Sequence, residues 1–226
     1  MLQTIKFRGD EKTFFFSADL HMNQSCASWD TPLWLARGYE DKEAHKVGVK
    51  KTWNQTCDEN TTGFLLGDTI FEDESGEGFR DLIHGLRFKT LFVMLGNHNS
   101  GHGIVYKNVL AESFPNVFAV GGEVYPLEWK LSDRRTVYFL PEYVEICINK
   151  NFLVLQHYPI LSHNKMSKWS IHLSGHCHNN LPLTNKDTGR GMRLDVGWDA
   201  WARPINLFDI KNHLKGRDMD AQDHHG

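Results

Sequence analysis

Cysteine is scarce in this chain and poorly placed for crosslinking. Cys26, Cys57, Cys147 and Cys177 form no CxxC pair, and their spacing does not suggest a zinc ribbon or a disulfide framework. They read as reduced thiols of a reducing compartment. Long apolar runs are missing too: none approaches the roughly 20 residues that span a bilayer. Met1 to Asp10 holds no signal-peptide core. The expected location is the cytoplasm, or the host cytoplasm for a viral protein, with no membrane partner. Nor does one sign of charge dominate: the formal net charge is −3 over 226 residues. That balance excludes a chain whose main work is coating nucleic acid, though not a local basic groove. Repeats and linkers are absent, so one domain is expected over 1–215, with a polar tail at 216–226.

What the chain has in quantity is histidine, 13 residues, and tryptophan, 7. Histidine in such number points to metal or acid–base work. The stretch Leu65-Leu66-Gly67-Asp68 shows where it acts. An unbroken apolar run reads as a strand buried on both faces. Ligands of such sheets bind just beyond the strand's carboxyl end, where Asp68 stands. Four other stretches share that grammar: Asp19-x-His21, Gly96-Asn97-His98, His157-Tyr158-Pro159 and Gly175-His176-Cys177-His178. On an extended chain Asp19 and His21 point to one side, and Cys177 points away from its two histidine neighbours.

The surrounding pattern predicts an α/β fold. Strands Thr13 to Ala18, Phe64 to Leu66 and Thr90 to Leu95 alternate with helices Glu40 to Thr56 and Phe79 to Phe88, which predicts a parallel core. A helix over Gly103 to Ser113 and a strand over Asn116 to Val120 follow. From Glu123 the connections are too short for helices. Val124 to Lys130, Arg135 to Phe139 and Tyr143 to Ile148 therefore predict hairpins and an antiparallel section. Phe152 to Gln156, Ile171 to Leu173, Arg193 to Val196 and Ile205 to Ile210 read as the remaining strands. Met22 to Gly38, with Trp29, Trp34 and Arg37, reads as a loop at the ligand end.

Asp19, His21, Asp68, Asn97, His98, His157, His176 and His178 mix carboxylate, amide and imidazole. Such a set suits Mn²⁺, Fe, Zn²⁺ or Ni²⁺ rather than a thiolate site. It exceeds what one tetrahedral zinc needs. Two divalent ions about 3.5–4 Å apart, sharing the Asp68 carboxylate, would use nearly all of it. A pair of that kind activates a bridging hydroxide and neutralises a phosphate. His98, one residue past Asn97, is placed to protonate the leaving oxygen.

The five blocks, in this order, resemble the calcineurin-like metallophosphoesterase superfamily, with its D-x-H, G-D, G-N-H, H and G-H-x-H. The likeness runs from Thr13 to Ile210. It is strongest to the small phosphoesterases of bacteria and their phages, through Trp53-Asn54 and Val196-Gly197-Trp198-Asp199-Ala200-Trp201. The resemblance implies a four-layer α/β/β/α sandwich of two packed sheets. It implies one metal on Asp19, His21, Asp68 and His178, and a second on Asp68, Asn97, His157 and His176. His98 would be the general acid or a phosphate contact. Two departures stand out. Phe71 occupies the place of the Asp that orients the catalytic histidine in protein phosphatases, and Asn23 and Gln24 replace the Gly-His that follows D-x-H.

The expected activity is a metal-dependent phosphoester hydrolase. The expected substrate is a small phosphorylated compound or nucleic-acid end, cleaved as a diester, since no large cap domain closes the site. The alternatives are a phosphomonoesterase and a non-catalytic metal-binding scaffold. Asn23, Arg37, Lys168 and Arg203 are candidate substrate contacts, with Lys165, Arg190 and Arg193 as further phosphate candidates. His45, His84, His163, His172 and His213 read as ordinary core or surface histidines.

Overall fold

A computed structural model describes residues 4–24, 31–71, 73–98, 103–105, 107–108, 127–131 and 134–218. Its strands are β1 (Ile5–Phe7), β2 (Phe14–Ser17), β3 (Thr62–Leu66), β4 (Thr90–Met94), β5 (Leu127–Lys130), β6 (Thr136–Leu140), β7 (Tyr143–Ile148), β8 (Asn151–Gln156), β9 (Ile171–Ser174), β10 (Arg193–Asp195) and β11 (Ile205–Asn206). They form two mixed sheets, one in the order β11-β2-β3-β4-β6-β5 and one in the order β1-β7-β8-β9-β10. With their flanking helices they make the expected α/β sandwich.

Period-two alternation builds its layers. Phe14, Phe16, Phe64, Leu66, Phe92 and Met94 meet Ile146, Leu155 and Leu173 of the other sheet in the core between them. Their chain neighbours Phe15, Leu65, Leu91 and Val93 face the opposite way. They pack on Val49 and Trp53 of the helix Lys42–Thr56, and on Phe79, Leu82 and Ile83 of the helix Glu77–Gly85. Burial on both faces is why β2, β3 and β4 read as unbroken apolar runs. Those three strands are parallel, as the alternation with helices requires. The outer face of the second sheet is covered by segment 157–170, where Ile160 donates to the buried His172 and Leu161 accepts from the buried Arg193. That segment carries a single 3-10 turn, Met166–Lys168.

The second half of the chain departs from expectation. The hairpins β5–β6 and β7–β8 are antiparallel, but β6 and β7 lie in different sheets. Pro141 breaks the run where the chain crosses. β8, β9 and β10 are parallel to one another. Ile205 to Ile210 is a strand for two residues, after which the helix Leu207–Leu214 begins. An apolar run of that length fits either state. The Asn206 side chain decides it by accepting from the Asp209 N–H at 2.8 Å, a helix cap. Residues 103–105 and 107–108 are helical. The rest of the expected helix to Ser113, the strand Asn116 to Val120 and Trp29 lie outside the described residues. No helix among the described residues is long and apolar enough to cross a membrane.

The carboxyl ends of β2, β3 and β4 in one sheet, and of β8, β9 and β10 in the other, come to one end of the sandwich. A bridge between Ala18 and Gly197 joins the two sheets there.

Candidate metal centre

The turns beyond those strand ends have unusual backbone. Asp19, His21, Asp68, His176 and His178 all have positive φ, at 55, 48, 48, 70 and 48°. The expectation of an extended Asp19-x-His21 is therefore corrected: β2 ends at Ser17, and the left-handed turns that follow aim both side chains. Left-handed backbone costs a non-glycine residue roughly 1–2 kcal/mol, less for Asp, whose short side chain bonds locally. Such residues collect where a site over-determines them. Here each turn is tied to another. Asp19 and His21 N–H groups donate to the Gly67 and Asp68 carbonyls at 3.2 and 2.9 Å. His176 N–H donates to the Asp19 carboxylate at 2.9 and 3.0 Å. Asp195 receives Gly197 N–H at 2.7 Å and Asn179 N–H at 2.8 Å. Glycine permits the close approaches: a Cβ on Gly96 would overlap Asp68 Oδ1, and one on Gly175 would lie 2.6 Å from Asp19 Oδ2.

The side chains converge on two groups. Asp19, His21 and His178 have donor atoms within 4.8 Å of one another, as do Asp19, Asp68 and His157. Asn97 Oδ1 stands 2.9 Å from His157 Nε2 and 2.9 Å from His176 Nδ1. Asp68 Oδ2 stands between the groups, 3.5 Å from His21 Nε2 and 3.4 Å from His157 Nε2. Every expected ligand is therefore at this one end. Asp19, His21, Asp68 and His157 are buried, and Asn97 is exposed.

These residues could hold a metal ion. Both ring nitrogens of the buried His21 lack a hydrogen-bond partner, which a neighbouring cation would supply. Burial, with the Asp195 charge, pushes the Asp19 carboxyl up to about 7, and the opposing charges of His157 and His178 do not offset it. Burial pushes the His21 imidazole down to about 3, which keeps it neutral and able to ligate. Burial also pushes Asp68 up, but the hydrogen bond and charge of His157 outweigh it and bring the group down to about 2. His157 Nδ1 donates to the Leu66 carbonyl at 2.8 Å, which leaves Nε2 toward Asp68 and Asn97.

Among the described residues, a cavity of about 500 Å³ opens onto the site. His21, Asp68, Asn97, His98, His176 and His178 line it, with Leu33 and Phe71 as its apolar wall. His98 is exposed at this cavity. Its main-chain N–H donates to Asp68 Oδ1 at 2.8 Å, and its ring lies 4.7 Å from that of Phe71. Phe71 thus packs on the His98 imidazole. A larger cavity, about 660 Å³, lies by Arg87 and Arg134 and contains none of these residues.

The expected substrate contacts are mostly elsewhere. Arg37 is tied to Asp199, with a side chain 6% exposed. Lys168 lines a separate cavity with Trp169 and Lys150, near the starts of β8 and β9. Arg203 pairs with Asp209 at 3.7 Å. Arg193 is fully buried, and the Lys165 ammonium sits over Phe152. Asn23 is half-buried in a left-handed turn and does not line the site cavity, although Gln24 does. The residues that sequence reasoning passed over are Asp195 and Asp199. Asp199 Oδ2 lies 2.6 Å from His178 Nδ1, and the Val-Gly-x-Asp-x-Trp stretch was the available signal for it. Trp201 in that stretch donates to the Asp195 carbonyl, and Trp198 is buried, so neither is a free stacking surface.

No family model and no curated protein matches the chain. Among solved structures it is similar to the crystal structure of the protein of unknown function AQ665 from Aquifex aeolicus. The TM-score is 0.53 at 13% identity, over 88% of this chain and 97% of that one. A likeness at this identity shows the fold alone.

Proposed function

We propose that this protein is a dinuclear-metal-dependent phosphoester hydrolase of the calcineurin-like kind, cleaving a phosphodiester of a nucleotide or nucleic-acid end. The observation that carries the reading is the place of one oxygen, Asp68 Oδ2, 3.5 Å from His21 Nε2 and 3.4 Å from His157 Nε2. A carboxylate oxygen so placed can serve two cations. Asp19, His21, Asp68 and His178 would hold one, and Asp68, Asn97, His157 and His176 the other. The mixed nitrogen and oxygen donors suit Mn²⁺ first, then Fe, Zn²⁺ or Ni²⁺. When bound, such a pair supplies Lewis-acid charge to a phosphate and acidifies water.

The chain's own groups supply the rest. The Leu66 carbonyl fixes the tautomer of His157, and Asp68 Oδ1 holds the main chain of His98. The His98 imidazole, at the cavity mouth, gives a proton to the leaving oxygen. Phe71 and Leu33 form an apolar wall suited to the organic arm that a diester carries and a simple monoester lacks. We infer a reducing cytoplasm as its setting, a reading supported by four cysteines that form no CxxC pair.

The test is paired hydrolysis after chelator treatment and restoration of Mn²⁺. Bis-p-nitrophenyl phosphate should turn over only with metal, and Asp68→Asn and His98→Ala should each abolish it. Turnover of p-nitrophenyl phosphate alone would make the protein a monoesterase. Bound metal without turnover of either would make it a scaffold.

A further inference from the structure

We infer that Arg37 and Asp199 are a positioning pair for His178, and that they set the metal affinity of one donor group and not of the other. The inference rests on the metal-centre reading above. Arg37 comes from the segment that the sequence presents as substrate-facing, yet its guanidinium is turned inward. Nε donates to Asp199 Oδ1 at 2.8 Å and Nη2 to Asp199 Oδ2 at 2.6 Å, a bidentate fork. Nη2 also donates to the Asp19 carbonyl, and Nη1 to the Leu20 carbonyl, both at 2.8 Å. Nη1 lies 3.1 Å from His45 Nε2. Burial, with the Arg37 charge, pushes His45 down to about 4, so its neutral ring accepts that bond. A guanidinium has five N–H groups, and these five contacts occupy them.

The two carbonyls belong to the turn between Asp19 and His21. The carboxylate in the fork is the one that faces His178 Nδ1 at 2.6 Å. One guanidinium therefore holds the main chain of the Asp19–Leu20 turn and, through Asp199, the ring of His178. With Nδ1–H directed to Asp199, Nε2 of His178 is left for an ion, the usual arrangement of a carboxylate behind a ligating histidine. In the other group His157 is held by the Leu66 main chain, and no atom of Arg37 or Asp199 is hydrogen-bonded to His157 or Asn97 among the described residues. The Asp199 side of the pair is selective by placement, because it reaches the His178 ring and no ring of the other group.

The experiment titrates Mn²⁺ into metal-stripped wild type, Asp199→Asn and Arg37→Lys by calorimetry, with elemental analysis for stoichiometry. Wild type should bind two ions. Asp199→Asn should weaken one of them about 10–100-fold and leave the other within about twofold. Arg37→Lys, which keeps the charge but not the fork, should weaken the same ion by less. Equal weakening of both ions, or of neither, overturns the inference. A wild type that binds a single ion sinks the two-ion function instead; the pair is then judged on that ion, and unchanged affinity in Asp199→Asn overturns it. Nitrogen-15 NMR of metal-free wild type above pH 8 provides a readout that needs no variant to fold. His178 should carry its proton on Nδ1, and a proton on Nε2 would overturn the inference.

Discussion

The two donor groups are held by different kinds of bond. Around Asp19, His21 and His178 the brace is a side-chain ion pair, Arg37 with Asp199, joining residues 162 apart in the chain. In the group of Asn97, His157 and His176, the His157 ring is braced by the carbonyl of Leu66, the last residue of β3. A main-chain acceptor is present whatever residue occupies position 66. An ion pair needs two particular residues, and removing one partner leaves a buried charge. The first group is thus the more readily altered by substitution; the Asp68 carboxylate stands between the two, and Asp19 has donor atoms near both.

Asp68→Ala tests that comparison most severely. It should empty both groups and lower metal-dependent hydrolysis on the order of 10³-fold or more. His178→Ala and His157→Ala should each disable one group, with a loss of about 10²-fold and one ion retained by elemental analysis. A loss for Asp68→Ala no greater than for either histidine would break the picture of a shared oxygen.

The buried His172 sharpens the contrast, because it belongs to neither group. His172 accepts from Ile160 N–H at 3.1 Å, and burial pushes it down to about 3. The unfolded chain takes up this proton near pH 6.5. The stability that His172 contributes is therefore complete above pH 6.5 and is lost as pH falls toward 3. Between pH 7 and pH 5 the loss is about 2 kcal/mol. Urea unfolding of metal-free protein should show a drop smaller by that amount in His172→Gln. Equal drops in both proteins would assign the acid sensitivity to other groups.

Smallest of all should be the effects away from the centre. Lys168→Ala and Arg203→Ala should leave hydrolysis within about twofold and stability within about 0.5 kcal/mol. A tenfold loss from Lys168→Ala would extend the substrate path to the cavity near the starts of β8 and β9.

Much of this site was legible before the fold was. Asp68 follows an apolar run, and so do Asp19, Asn97, His157 and His176; ligands of parallel sheets bind beyond the carboxyl ends of buried strands. Arg37 was legible as important but misread. An exposed arginine in a loop and a buried arginine clamping a turn have the same neighbours in sequence. The helix from Leu207 was misread for a related reason, since the Asn206 cap competes with an apolar run that also fits a strand. β1 is too short to announce itself.

The strands β2, β3 and β4 and the candidate ligands at their ends were legible in the sequence alone, because burial on both faces demands unbroken apolar runs and polar residues collect at their ends. Tertiary structure decided the rest: the sheet to which each strand belongs, the left-handed turns that aim Asp19, His21, Asp68, His176 and His178, and the pairing of Arg37 with Asp199. Those depend on contacts between residues far apart in the chain, which local propensity does not encode. A left-handed aspartate or histidine is unfavourable on its own, and it persists here because hydrogen bonds from neighbouring turns hold it in place.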